Sequence, residues 1–360
     1  MTADRMTANH MTLGHTTLGH MTLGRRRFGV TVATLASAVA LLTALPFDGA
    51  AAQTAKYRLR YGTAFPADHP AVLRIAEAAE AIKAETGGQV DIQVFPNSQM
   101  GSEPEMFSQV RSGALDFMST SGVNQTIVPV ASINAVAFAF ADYRQVWAAM
   151  DGDLGDHVRA AFDKAGLHAF EKMLDNGYRN ITTSAKPVNS PDDLKGLKIR
   201  VPGNPLWVSV FKGLGAAPTP IQFGELYAAL QTRVVDGQEN PMALIQSAKL
   251  YEVQKYIALT GHIWDGHYIF MGNKKWATLP ADVQASIARN FAAAALKERE
   301  DVAKLNEQAV GAMKAAGLTI TEPDKKPFRD ALKTAGFYGE FKAKYGDAVW
   351  TILEKYSGPL

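Results

Sequence analysis

Residues 198–241 read KIRVPGNPLWVSVFKGLGAAPTPIQFGELYAALQTRVVDGQENP, and the fold is decided there. The stretch opens on a strand, LKIRV at 197–201. Side chains alternate along a strand, so Leu197, Ile199 and Val201 share one face while Lys198 and Arg200 share the other. The apolar trio faces a core, and Arg200 points away from it. Asn204 as N-cap and Pro205 at the first helical position then start a helix. A guanidinium at a strand end, beside the free N–H groups of a helix start, suits an anion. Phe223, Leu226, Tyr227, Leu230 and Val234 have helical spacing and predict a second helix ending at Asp236-Gly237. Gln238-Glu239-Asn240-Pro241 leads back with two amides and a carboxylate. From the residues alone this is either a carboxylate pocket in an α/β protein or a surface arginine near a helix start.

Upstream, strands and helices alternate. Tyr57, Leu59 and Tyr61 mark a strand that ends at Gly62-Thr63. A helix from about Pro70, with Leu73, Ala76, Ala79 and Ile82 on one stripe, stops at Gly87-Gly88. Strand QVDIQVF, helix EPEMFSQVRSG and strand ALDFM follow. Such alternation predicts a parallel sheet with its crevice at the carboxyl ends of the strands, here residues 62–65, 95–98 and 119–124. Ser and Asn gather there, as they also do in ordinary turns. Asp175-Asn176-Gly177 reads as a turn, and Arg179 in YRNITTS as a solvated strand charge. Downstream, residues 260–273 read as a return crossing between lobes. Residues 279–316 carry a helical pattern of some 50 Å at 1.5 Å per residue, without a sustained heptad. A strand (LTITEP) and further helices close the chain, with Tyr338, Phe341 and Trp350 as core.

Composition narrows the function. Thirty-seven basic residues balance 35 acidic ones in 360 residues, with no basic block, which argues against nucleic acid as a partner. The chain has no cysteine, so disulfides, thiol nucleophiles, Cys-based zinc sites and a lipoprotein cysteine are excluded. No G-x-S-x-G, H-E-x-x-H or Walker loop occurs, and Gly213-Leu214-Gly215 lacks the third glycine of a dinucleotide loop. His262, Asp265 and His267 tempt a metal-enzyme reading. Zinc needs three or four convergent ligands, and this spacing suits neither a helix face nor alternate strand positions for all three. No metal and no cofactor is therefore expected.

The N-terminus reads as address rather than fold. Residues 6–25 are a degenerate five-residue repeat, MTANH MTLGH TTLGH MTLGR, consistent with translated sequence ahead of a true start at an internal methionine. Its His10, His15 and His20 are at most weak metal ligands. Arg25-Arg26-Arg27-Phe28, an apolar run over 30–45 and Ala50-Ala51-Ala52 have the order of a secretory signal of twin-arginine type. The run is shorter than the roughly 20 apolar residues of a spanning helix. Residues 1–52 hold four Arg and two Asp, so their removal takes the net charge from +2 to 0.

Several ordered motifs carry a family resemblance. LKGLKIRVPGNPLW, GAAPTP and LQTRVVDGQENP resemble the solute-binding proteins of tripartite ATP-independent periplasmic (TRAP) transporters, of the dicarboxylate type. So do FPNSQMGSEPEMFSQVRSGALDFM, YRNITTS and YEVQKYIALTGHIWDGHYIFMGN, and the resemblance runs from Tyr57 to the C-terminus. It implies an α/β, two-lobed periplasmic binding protein fold with a hinge, a ligand cleft between the lobes and a long helix spanning both. Lobe I is expected from 53–176 with 266–305, and lobe II from 177–265 with 306–360. The implied function is capture of an organic acid anion in the periplasm and delivery to integral membrane subunits, with no catalysis. Arg200 would pair with the carboxylate, flanked by Asn240 and Phe223, while Ser121 and Asn124 read the remainder from the other lobe. Arg179, Trp207, His262 and His69 complete the ligand-binding candidates, and Trp207 with Trp264 would admit a flat apolar ligand portion. Sialic-acid-binding members carry a glutamate where this chain has Ser121 and an arginine where it has Asn124, which argues against sialic acid. The rivals are a binding protein of the ATP-driven class, which shares the two-lobe plan, and a metal-dependent enzyme. Intact-mass measurement of periplasmic material is expected to give a chain beginning at Gln53; an uncut chain retained in the membrane would overturn the signal assignment.

Overall fold

The computed structural model describes residues 55–360; the repeat and the signal segment lie outside the described residues. Three parallel strands begin the fold, β1 (Tyr57–Thr63), β2 (Val90–Phe95) and β3 (Phe117–Thr120), in the order β2-β1-β3. Helices α1 (Pro70–Glu85) and α2 (Glu103–Ser112) connect them. The buried face of α1 is Val72, Ile75, Ala78, Ala79 and Ile82, while Leu73 is 51% exposed. The expected stripe through Leu73 is therefore rotated by about one residue, onto the side that meets the long C-terminal helix. Helices α3 (Tyr143–Met150) and α4 (Asp153–Lys164) and the short strand β4 (Leu167–Ala169) follow.

The second half is built around β5 (Leu174–Thr183), β6 (Lys198–Val201), β7 (Ala217–Pro220) and β8 (Gly237–Pro241), with helices α5 (Pro205–Gly213), α6 (Leu226–Gln231) and α7 (Met242–Ser247). β6 runs parallel to β7 and β8, and β8 runs antiparallel to β5. Two expectations are corrected here. Asp175-Asn176-Gly177 is a bulge inside β5 and not a turn. The strand keeps its pairing on both sides, and Gly177 absorbs the extra residue at φ 111°. The second helix of the opening stretch ends at Gln231, and Val234 is 55% exposed, because the chain must leave early to enter β8, a fully buried strand.

Two elements stitch the halves together. β9 (Tyr256–Gly272) is 17 residues long. Its first part pairs with β5, and its last residues pair with β3 and β4. One strand thus belongs to both sheets, which makes the chain a two-lobed α/β protein. After α8 (Asn273–Trp276), the 35-residue α9 (Ala281–Ala315) covers both lobes. Ile287, Phe291 and Ala295 join the core beneath α1, while Ala309 and Met313 join a separate core with Leu226, Leu230 and Ile257. β10 (Thr319–Thr321) adds to β9, and α10 (Lys325–Thr334), α11 (Phe337–Tyr345) and α12 (Asp347–Ser357) finish the chain. Tyr338, Phe341 and Trp350 are buried in a core shared with Val210 and Phe211 of α5 and with Val146 and Val158 of α3 and α4. The terminal helices therefore touch both lobes rather than one.

A buried acid pair sits where β5 meets α9. The Asp175 backbone N–H donates to Glu298 Oε2 at 2.8 Å, and Trp264 Nε1 donates to Asp175 Oδ1 at 2.9 Å. Burial pushes the Asp175 pKa up to about 7 and, with the Asp175 charge, lifts Glu298 well above the carboxylate range. The folded state thus holds a proton on Asp175 that the unfolded chain releases near pH 4. This contribution is present at low pH and lost as pH rises through about 7. Asp175→Asn is expected to melt several degrees above wild type at pH 8, with the gap closing toward pH 5. Ligand-free thermal unfolding across that range checks it; a gap independent of pH would count against it.

Candidate functional site

The strand ends converge on one cavity with an empty volume of about 400 Å³. Ala64 and Phe65 reach it from the end of β1, Ser121 and Gly122 from the end of β3, and Glu103 from the start of α2. Asn176 and Arg179 come from β5, Asp265 and His267 from β9, Asn240 from β8, and Arg200 with Pro202 from β6. Both lobes therefore wall it. The expected turn at 95–98 lies beside an adjoining groove instead, where Ser98 stands with Glu103 and Phe223.

Arg200 is placed by strand alternation. Ile199 and Val201 are buried in the core on one side, and the guanidinium emerges on the other, itself only 2% exposed. Nε donates to the Ile221 carbonyl at 2.8 Å, and the guanidinium carbon stands 5.9 Å from the centre of the Phe223 ring. Among the described residues Arg200 has no ion-pair partner, in contrast to Arg179. Burial and the neighbouring Arg179 charge pull its pKa down to about 10, against the opposing pull of Glu239 and Glu103. It remains a cation at neutral pH, buried and uncompensated. An anion is what relieves that state, since a buried charge is expensive until it is paired.

Arg179 is the opposite case. Its Nη2 donates to Glu239 Oε1 at 2.7 Å, to the Glu239 carbonyl at 2.7 Å and to Asn240 Oδ1 at 2.9 Å. Nε also meets Glu239, and Nη1 donates to Asp265 Oδ2 at 2.6 Å. Burial works against its charge, and the two carboxylates outweigh it, holding its pKa above the ordinary value. A solvated strand charge is thereby ruled out. Arg179 is spent on the protein and braces the wall of the cavity.

The remaining candidates divide. Asn240, Phe223 and Ser121 line the cavity with Arg200 and Arg179. Four do not. Trp207 is 1% exposed, and its ring lies 5.7 Å from the guanidinium carbon of Arg179, so it backs that arginine. Asn124 is fully buried and donates to the Thr120 carbonyl at 3.0 Å. His262 stands behind Glu239, 3.3 Å from its Oε2, with Thr260 Oγ1 at 2.8 Å from the other ring nitrogen. His69 caps α1, accepting from the Ala71 N–H at 3.2 Å. It reaches the cavity only through Phe65, on which its ring and that of His267 both stack, centroids 4.2 and 4.4 Å away. Trp264, bonded to Asp175, is packed against Phe140 and Trp147. Both tryptophans are buried, and neither lines the cavity. His262, Asp265 and His267 do not converge, and no cluster of metal-ligating residues occurs among the described residues.

Sequence reasoning missed Glu103 and Asn176, placed Phe65 at the crevice only as part of a strand end, and considered Asp265 and His267 only as metal ligands. Glu103 carried a usable signal. Ser102 and Glu105 close the capping box of α2 between themselves, so the second acid of that first turn is free for other use. It accepts a hydrogen bond from the Thr120 hydroxyl at the cavity.

A two-lobed fold whose cleft holds a buried cation with no ion-pair partner among the described residues defines a protein that captures anions. The chain belongs to the bacterial extracellular solute-binding proteins of family 7, whose model matches residues 61–338, and so to the solute-binding proteins of TRAP transporters. It is 34% identical over 302 residues to the 2,3-diketo-L-gulonate-binding periplasmic protein YiaO of Escherichia coli, covering 83% of this chain and 90% of the relative. A TRAP periplasmic solute-binding protein of a Bradyrhizobium species, in complex with α/β-D-galacturonate, matches with TM-score 0.78 and 32% identity over 84% of this chain and all of that one. Another from Roseobacter denitrificans, with bound L-galactonate, matches with TM-score 0.78 and 30% identity over 84% and 99%.

Arg200→Ala is expected to fold normally and to weaken anion binding by about 2–5 kcal/mol, roughly 30-fold to a few thousand-fold. Arg200→Lys keeps the charge without the planar fork and should recover only part of this. Arg179→Ala should instead lower ligand-free stability by about 3–5 kcal/mol, since it strands Glu239 and Asp265 in the interior. Calorimetric titration and thermal unfolding of the three variants separate the two roles. An Arg200→Ala protein binding within about threefold of wild type would place the carboxylate site elsewhere.

Proposed function

We propose that this chain is a periplasmic solute-binding protein that captures an organic acid anion on Arg200 and delivers it to the membrane subunits of a TRAP transporter. The observation that carries the reading is the buried, unpaired guanidinium of Arg200 in a cavity walled by both lobes. Arg200, Asn240 and Phe223 hold the carboxylate end, Ser121 contacts the remainder, and Arg179 braces Asn240. The similar proteins named above are described with acids, which accords with this site. Lobe I comprises 53–176 with 266–305, and lobe II 177–265 with 306–360. A ligand touching both lobes favours the closed arrangement, because only there does it make both sets of contacts. No residue of the site is assigned a catalytic role. Among the described residues no helix is long and apolar enough to cross a membrane. Residues 1–52 comprise an N-terminal extension and a twin-arginine-like export signal.

A thermal-shift screen of organic acids tests the reading. A ligand at 100 times its Kd adds about 2.7 kcal/mol of stability. At least one monocarboxylate should raise Tm in wild type and fail to do so in Arg200→Ala. Scattering at saturation with that acid should show a smaller radius of gyration; an unchanged radius would count against hinge closure. A binding protein of the ATP-driven class would instead be encoded beside an ATPase.

A further inference from the structure

The cavity that Arg200 lines is rich in acceptors. Asn176 Nδ2 donates to Asp265 Oδ2 at 2.8 Å, which fixes the amide with its oxygen free. Asp265 Oδ2 also receives Arg179, leaving Oδ1 without a partner. Asn176 Oδ1, Asp265 Oδ1 and His267 Nδ1 are all buried without a protein hydrogen bond among the described residues, on side chains that line the cavity. Glu103, close enough to act electrostatically on both Arg200 and His267, adds a carboxylate that, among the described residues, only the Thr120 hydroxyl engages. Buried polar atoms are rarely left unmade, and those in a ligand cavity are ordinarily completed by the ligand. Carboxylate and amide oxygens only accept, so the matching ligand must donate at several separated points.

We propose that the anion bound here is a polyhydroxylated monocarboxylate, an acid of the sugar-acid class, with hydroxyls donating to Glu103, Asn176 and Asp265. This rests on the Arg200 carboxylate reading and adds specificity to it. A second carboxylate on the ligand would stand beside Glu103 and Asp265, and buried like charges repel. Arg179 offers it no relief, being already taken by Glu239 and Asp265. A single ammonium offers three donors but from one point, whereas the acceptors come from three elements, α2, β5 and β9. A hydroxyl both donates and accepts, and so also suits His267, whose burial keeps it neutral with one nitrogen donating and the other accepting. A site built for hydroxyls rejects the analogue that lacks them far more strongly than an apolar pocket rejects an extra methylene.

Calorimetric titration of the purified protein with D-galactonate, D-galacturonate, succinate, hexanoate and L-leucine tests this, with Arg200→Ala and Glu103→Gln alongside. At least one sugar acid should bind about a hundredfold or more tighter than succinate, hexanoate and leucine. Glu103→Gln keeps the shape but loses the charged acceptor. It should weaken the sugar acid about tenfold and leave succinate equal or improved. If succinate, hexanoate or leucine binds as well as the sugar acids, and Arg200→Ala abolishes it, the hydroxyl assignment falls while the carboxylate clamp stands. If no acid of any class binds, the clamp falls and the hydroxyl assignment with it. A Glu103→Gln protein that binds the sugar acid within twofold of wild type would remove Glu103 from the site.

Discussion

The site depends on how Arg179 is spent. Two arginines stand in the cleft, and a protein that left both unpaired would pay for two buried cations. Glu239 and Asp265 neutralise Arg179 from β8 and β9, one on each side of β5. A buried ion pair adds little net stability when it is complete but fixes geometry, because each partner would be stranded without the other. What it fixes here is the orientation of Asn240 and Asp265, both of which line the cavity. With Arg179 held this way, Arg200 is the cleft arginine left without an ion-pair partner among the described residues. His262 and Trp207 serve the same bracing: one stands at Glu239 and the other lies near the Arg179 guanidinium.

A cleft between lobes works only if the lobes move as units and stay in register. β9 achieves the second by belonging to both sheets, with Asp265 and His267 close to the point where its partners change from β5 to β3. α9 spans both cores along its length, and α10 to α12 add apolar contacts to each side. The Asp175–Glu298 contact joins β5 to α9 at the same level. Asp265 and His267 line the cavity from β9 itself, and Asn176 and Arg179 line it from β5, the strand paired with it, so a ligand contact there acts directly on an element shared by the lobes.

Much of this was written locally. The LKIRV alternation put Arg200 opposite Ile199 and Val201, because the period of a strand is 2 whatever it later pairs with. Asn204 and Pro205 started α5, Gly87-Gly88 closed α1, and the βα order placed the crevice at the strand ends. The length of the helical pattern after residue 279 already exceeded what one lobe needs. These are features of a few consecutive residues, and local sterics and hydrogen bonding decide them.

Other features were decided only by residues distant in sequence. Asn176-Gly177 has the composition of a turn, yet β9 pairs across it and turns it into a bulge. Arg179 has the look of an exposed strand charge until Glu239, 60 residues on, and Asp265, 86 residues on, are brought to it. Trp207 and His262 have types that suit a ligand, but the depth of the core behind the cleft takes both. Asn176, Asp265 and His267 became acceptors of a cavity through strand register and an amide orientation set by a side chain 89 residues away. The sequence by itself determined the elements, their order and the direction of Arg200, since those follow from neighbours along the chain. Which charges cancel, and which one is left without a partner, only the tertiary structure decided, because charge compensation is a matter of distances across the fold.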